Sequence, residues 1–401
     1  MRSTAFKLLG LIVLLLVGRF TVAQQPLTID ITKGIQGSGI PIAIAPFGGG
    51  APEDIAGIIA ADLQRTGKIA PQPPGTRTDY SVTGQAQSGG ARGYVVQFQL
   101  AGVQGAPLLN LSFDVPPNQL RPVAHRISDL IYEKLTGEKG LAGTRIAYIA
   151  GGGGSWYLVV ADADGQNPRV ILRSGQPLMS PAWSPDGGKL AYVSFEGRRP
   201  QIIVQDVYSG ARRVVSAAPG INGAPSWSPN GQRLAFTLSK DGNPEIYALD
   251  LATQNPVRLT SSSAIDTEPV WLPDGSIVFT SDRGGSPQLY QIGPGGGAAQ
   301  RLTFEGDYNA RPTVSPDGRY IAMVHRRGGR FHIAVLDLQT RQFRVLTSGG
   351  LDESPSFAPN GKMIIYSNGQ RLTAVSLDGS VKQDFTLRGN GRDPVWAPYG
   401  R

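Results

Sequence analysis

The 401-residue chain contains no cysteine and only three histidines, His125, His325 and His332. The first absence excludes disulfide staples, thiol catalysis and cysteine-based zinc sites. The histidines match no His-x-x-x-His spacing, so a bound metal would have to draw mainly on carboxylate oxygens. No Gly-x-Ser-x-Gly nucleophile turn and no Gly-x-x-x-x-Gly-Lys-Ser/Thr phosphate loop occurs. Runs of like charge are missing too. Basic clusters such as Arg212-Arg213 and His325-Arg326-Arg327 are two or three residues long, too short for a nucleic-acid surface.

Long hydrophobic runs are equally scarce. Leu8 to Val17 is apolar, but it reaches only half of the ~20 residues that cross a bilayer. Arg2 and Lys7 precede it and the small-residue ending Thr21-Val22-Ala23 follows, which is the pattern of a secretory signal over residues 1–23. Cleavage before Gln24 leaves no integral membrane segment. It also lowers the formal charge from +8 to +5, because Arg2, Lys7 and Arg19 are lost. An exported chain without disulfides needs a large packed core.

Glycine (53) and proline (31) are abundant without a collagen-like period, as expected of many short strands and turns. Their arrangement repeats. Residues 180–192 (SPAWSPDGGKLAY), 224–236, 268–279, 311–323, 354–366 and a truncated 393–400 are copies of one unit, with prolines 181, 225, 269, 312, 355 and 394 spaced by 44, 44, 43, 43 and 39 residues. Six units near 43 residues predict a six-bladed β-propeller with four strands per blade, over residues 144–401. Within a unit, Pro185-Asp186-Gly187 makes the tight turn that pairs the first two strands. Trp183, Trp227, Trp271, Phe357 and Trp396 recur at one position and are expected to fill the wedge between each blade and the next. The last unit stops after its first strand, whereas Arg145–Ala150 reads as a second strand without a first. Pairing residues 393–398 with 145–150 would close the ring without a covalent bond.

Residues 24–136 lack the period and read as a small α/β domain, joined to the propeller by a linker at 137–143. Strands are expected at Leu27–Ile31, Pro41–Phe47, Tyr80–Gln87, Tyr94–Leu100 and Leu108–Asp114, with amphipathic helices at Pro52–Arg65 and Asn118–Leu135. The fold class is therefore mainly β, with an α/β domain in front.

The WSPDG-type repeats, the signal and the small leading domain resemble the TolB family, periplasmic components of the bacterial Tol-Pal system. The segments Pro41–Phe47, Thr267–Trp271, Phe279–Arg283 and Leu351–Pro355 carry the resemblance most specifically. It implies a non-enzymatic periplasmic adaptor. The propeller would bind the peptidoglycan-associated lipoprotein Pal and the mature N-terminus would bind the inner-membrane protein TolA, in support of outer-membrane integrity and cell division; other envelope proteins are conceivable partners. The TolA segment maps onto Leu27, Thr28, Ile29, Asp30, Ile31 and Thr32, where Leu27, Ile29 and Ile31 alternate along one apolar strand face.

Connectivity gives the orientation independently. The chain enters the ring at Thr144 and leaves at Pro398, both on the side of the tight turns, so the small domain should sit there. The opposite side carries the longer loops before each inner strand, and loops on a rigid scaffold are the usual recognition elements. The expected partner-facing set is Asn222, Asp266, Thr267, Glu268, Asn309, Arg311, Asp352, Glu353, Arg392 and Asp393. No cofactor is required, although acidic residues at the channel mouth have the oxygen chemistry for Ca²⁺. Two alternatives stay open at this level. One is an exported propeller enzyme of sugar-dehydrogenase or lactonase type with a channel metal; the other is a carbohydrate-binding module, for which Tyr308 is the obvious loop aromatic.

Overall fold

The structure is a computed structural model that describes residues 39–400 apart from Pro74, Ala91, Arg92, Gln370, Thr386 and Arg388. The signal segment, the strand expected at Leu27–Ile31 and the rest of the TolA segment lie outside the described residues.

The small domain is a mixed five-stranded sheet of β1 (Ile40–Ile44), β2 (Ile69–Gln72), β3 (Tyr80–Ser88), β4 (Tyr94–Ala101) and β5 (Pro107–Val115), in the order β2-β1-β3-β4-β5. β1 runs parallel to both its neighbours, and β3, β4 and β5 form an antiparallel meander. Sequence reading missed β2. It contains Pro71, and a proline that donates no ladder bond is tolerated there because β2 is an edge strand.

Two helices cover the sheet, α1 (Ile55–Arg65) and α2 (Leu120–Thr136). α1 begins three residues later than Pro52, because the Asp54 carboxylate caps it by accepting the Gly57 N–H at 2.9 Å. Ile55, Ile59, Asp62 and Leu63 make its buried stripe, at helical spacing. α2 follows a short 3₁₀ turn at Pro117–Gln119 and ends at Gly137, whose φ of 72° is readily adopted only by glycine.

The rest of the chain forms six four-stranded antiparallel sheets. In the first blade the inner strand is Arg392–Trp396, from the C-terminal end, beside Arg145–Gly152. Val395 faces Ala147, Trp396 faces Ile146, and the Ala397 N–H donates to the Arg145 carbonyl at 2.8 Å. The two chain ends therefore complete one sheet, as the truncated repeats predict.

The tight turns explain the serine of the repeat. Ser184, Ser228 and Ser315 each accept, through Oγ, the N–H of the residue five positions on, at 2.9, 2.9 and 2.8 Å. A glycine at φ 66° (Gly187) completes the reversal.

The recurring aromatics do fill the interblade wedges, but against the preceding blade. Trp227 Nε1–H donates to the Ala182 carbonyl at 3.0 Å, Trp271 to Ser226 at 3.3 Å, and Trp183 to Val395 at 3.3 Å. Trp227 packs on Ala191, Ile202 and Val204 of the blade before it.

The small domain docks on the side of the tight turns, as connectivity requires: Arg121 of α2 donates through Nε to Asp162, where the strand Ser155–Asp162 ends, at 3.0 Å, and the linker is held on the same side. Asn360, in the turn of the sixth blade, donates to the Lys139 carbonyl at 3.3 Å, and the Tyr399 hydroxyl donates to Gly140 at 3.1 Å. No helix among the described residues is long and apolar enough to cross a membrane.

Candidate binding face

The side away from the small domain is built by one repeated distortion. Inner strands lose register with their neighbours at the same point, between Gly223 and Ser226, Thr267 and Val270, Ala310 and Thr313, Glu353 and Ser356, and Arg392 and Val395. The residue at this bulge precedes the repeat proline and has positive φ in all six blades: Ser180 (49°), Ala224 (46°), Glu268 (56°), Arg311 (51°), Ser354 (55°) and Asp393 (46°). Proline suits the bulge because no ladder bond is asked of it there. Side chains at φ > 0 are costly for non-glycine residues. Six copies of that cost mark the ring around the channel as a constructed feature.

Arg311 organises this ring. Its Nη1 lies 3.3 Å from Asp393 Oδ1, its Nε 3.4 Å from Glu268, and its Nη1 also donates to Ser354 Oγ. Glu353 stands 4.0 Å away and is the most exposed carboxylate of the group. Glu268 accepts the Arg311 backbone N–H at 2.8 Å and the Thr280 hydroxyl at 2.9 Å. Asp393 accepts from the Ser354 hydroxyl at 2.8 Å and from the Ser180 N–H at 3.2 Å. Burial works against the guanidinium charge, but Asp393, Glu268 and Glu353 outweigh it and hold the Arg311 pKa above its ordinary value.

Six of the ten residues expected to face a partner lie at or beside this mouth. They are Glu268, Arg311, Glu353 and Asp393, with Thr267, whose hydroxyl meets that of Thr237 at 3.1 Å, and Arg392, which lies 3.9 Å over the Trp156 ring. The other four do not face outward. Asn222, Asp266, Asn309 and Asp352 are fully buried. Asn222 Nδ2 donates to Ala218 at 2.7 Å, and Asn309 Nδ2 donates to Glu305 at 2.7 Å and Gln288 at 2.9 Å. Asp266 accepts two bonds from Arg283, at 2.9 and 2.7 Å, and Asp352 accepts from Thr347 at 2.5 Å. Asn222, Asn309 and Asp352 tie down the loops that lead into their strands, and Asp266 holds the Arg283 guanidinium after the next strand, satisfying polar groups that water cannot reach.

Sequence reading passed over the apolar neighbours of these four. Ile221, Ile265 and Leu351 each stand one residue earlier and are exposed by 47%, 49% and 64%, and Phe304 by 66%. With Tyr308 and Pro177 they occupy one repeat position in five of six blades, apart from Phe304, which belongs to the loop before Tyr308. An apolar residue kept in a solvent loop at fixed repeat spacing was the signal available. The free face thus has a charged centre and an apolar rim, the reverse of most interfaces.

Among the described residues, the carboxylate and histidine group with metal-ligand spacing is His125, Asp162 and Asp164, on the other side of the ring. The channel carboxylates are instead gathered on Arg311.

Residues 132–400 match the model of the TolB beta propeller domain, and residues 27–77 match the TolB amino-terminal domain. The chain belongs to the TolB family. It is 54% identical to the Tol-Pal system protein TolB of Thioalkalivibrio sulfidiphilus, covering 94% of this chain and 95% of the relative. It is 52% identical to that of Nitrosococcus oceani, over 93% of each chain. The crystal structure of TolB from Acinetobacter baumannii is similar at a TM-score of 0.84 and 41% identity, covering 90% of this chain and 97% of that one. The chain is accordingly a Tol-Pal system component of a non-enzymatic envelope family. The exported-enzyme alternative falls with that assignment.

Proposed function

We propose that the chain is a periplasmic adaptor that binds Pal on the free propeller face and TolA through the mature N-terminal segment Leu27–Thr32, in support of outer-membrane integrity and cell division. The observation that carries the reading is the rim of Ile221, Ile265, Leu351 and Phe304 around the Arg311 mouth, on the side left open by the small domain. Solvent-facing apolar side chains grouped around one channel mouth gain free energy by docking, at roughly 25 cal/mol per Å² buried. Fixed polar groups at the centre set orientation. Arg311 offsets one of the three negative charges of Glu268, Glu353 and Asp393 and leaves the mouth acidic around a fixed guanidinium.

The test uses the mature chain with purified Pal and the periplasmic part of TolA in separate calorimetric titrations. The reading expects saturable binding to both. It also expects deletion of residues 24–33 to abolish binding to TolA. Absence of Pal binding by the intact chain would refute the adaptor role of the propeller.

A further inference from the structure

Where the small domain meets the first blade, charged groups from three elements converge. α1 supplies Asp62 and Arg65, α2 supplies Arg121 and His125, and the turn after strand Ser155–Asp162 supplies Asp162 and Asp164. Arg121 Nε donates to Asp162 at 3.0 Å, its Nη2 pairs with Asp164, and Arg65 lies 3.5 Å from Asp164 as well as pairing with Asp62. These contacts cross from one domain to the other.

His125 stands in the middle, 3% exposed. Its Nδ1 is 2.7 Å from Asp62 Oδ2, an oxygen that also accepts the Ser128 hydroxyl at 2.8 Å. Its Nε2 is buried, has no hydrogen-bond partner, and faces Asp162 Oδ2 at 3.7 Å. With a neutral imidazole, three carboxylates (Asp62, Asp162, Asp164) would meet two guanidiniums (Arg65, Arg121), and the buried set would keep one uncompensated negative charge. An imidazolium balances it. Glu53, 3.8 Å from Arg121, lies at the rim, and the Asp129 carboxylate is engaged by the linker N–H groups of Ala142 and Gly143 at 2.8 Å each. Neither supplies the missing positive charge.

We propose that His125 is a protonated pin between the domains: the imidazolium bridges Asp62 of the small domain and Asp162 of the propeller, and loss of its proton loosens their docking about the 137–143 linker. The electrostatics agree. Burial alone would lower the His125 pKa, but the nearby Asp162 carboxylate, the hydrogen bond to Asp62 and the charges of Asp62 and Asp164 outweigh it and raise it to about 9. A pKa raised above the free value means docking is fully supported below about 6.5 and weakens as pH climbs through about 9. His125, Asp162 and Asp164 also have metal-ligand spacing, and a carboxylate behind the imidazole is common at metal sites. The two guanidiniums decide for the proton, because a divalent ion would have to displace both and deprotonate His125.

The absence of cysteine permits a direct test. Dyes on N110C in β5 and A252C in the third blade, both exposed positions, report the interdomain distance by single-molecule energy transfer in the full mature chain. The parent should show one narrow population from pH 5 to 7, with the open fraction rising up to about tenfold per pH unit between 7 and 9. His125→Gln, which keeps a polar side chain without the charge, should be broadened at pH 7 and indifferent to pH. If it fails to fold by circular dichroism, Asp162→Asn provides the same comparison from the propeller side. A His125→Gln distribution equal to the parent's at pH 6 would overturn the pin. So would stoichiometric Zn²⁺ binding by the parent that is lost in His125→Gln.

Discussion

Arg311 in the fifth blade reaches Asp393 in the first at 3.3 Å, so one ion pair ties the middle of the chain to its C-terminal strand across the channel. The same guanidinium touches Glu268 and Glu353, from the blades on either side of its own. Arg311→Met keeps an unbranched apolar stem but removes the guanidinium and leaves these carboxylates facing one another. The expected cost is about 1–2 kcal/mol in urea unfolding, modest because the group is partly solvated. The loss should largely vanish when Asp393→Asn is already present. Full additivity of the two substitutions would deny the coupling.

Trp227 contributes both volume and one N–H bond to Ala182. Trp227→Ala should destabilise by about 3–5 kcal/mol, because the wedge shared with Ile202 and Val204 empties. Trp227→Phe keeps most of the volume and leaves the Ala182 carbonyl unpaired, so it should cost about 1–2 kcal/mol. Thermal unfolding of the two variants separates packing from the hydrogen bond.

Asp266 was expected at the partner surface and is instead buried on Arg283. Asp266→Ala strips the Arg283 guanidinium of its buried partner, for an expected loss of about 3–5 kcal/mol. Pal binding by the remaining folded protein should stay within about twofold, provided the titration is run well below the lowered melting temperature. A large affinity loss without a stability loss would restore Asp266 to the binding surface.

Which parts of this were legible without coordinates follows from the kind of signal each left. Prolines 181 to 394 and the residues around them encode the ring, its closure and the face taken by the small domain, because blade geometry repeats whatever the loops do. β2 was hidden by Pro71, which reads as a breaker unless the strand is known to be an edge. At the site, polarity misled. Asn222, Asp266, Asn309 and Asp352 look like solvent-facing loop residues, yet irregular backbone entering a sheet needs internal partners, and short polar side chains provide them. The exposed Ile265 and Leu351 were passed over because apolar residues are first assigned to the core. The His125 cluster left no pattern at all, since Asp62, His125 and Asp162 come together only through tertiary packing.

Asp129 gives a second pH dependence of known sign. Burial raises its pKa to about 6, against the pull of the Gly143 and Ala142 N–H groups. A raised carboxyl pKa favours the folded state at low pH, so this contribution is fully present below about 4 and is lost as pH rises through about 6. Asp129→Asn should flatten the stability profile between pH 4 and 6, as read by urea midpoints. An unchanged slope would mean that Asp129 titrates at its ordinary value.

The face that binds is tested most directly by calorimetry of Pal against three single variants of the mature chain: Ile265→Glu and Leu351→Glu on the apolar rim, and Tyr208→Glu in an exposed turn on the opposite side. Charges placed on the rim should weaken binding at least about tenfold each with melting temperatures unchanged, and Tyr208→Glu should bind as the parent does. Loss of binding in Tyr208→Glu, with both rim variants intact, would contradict the assignment of the free face.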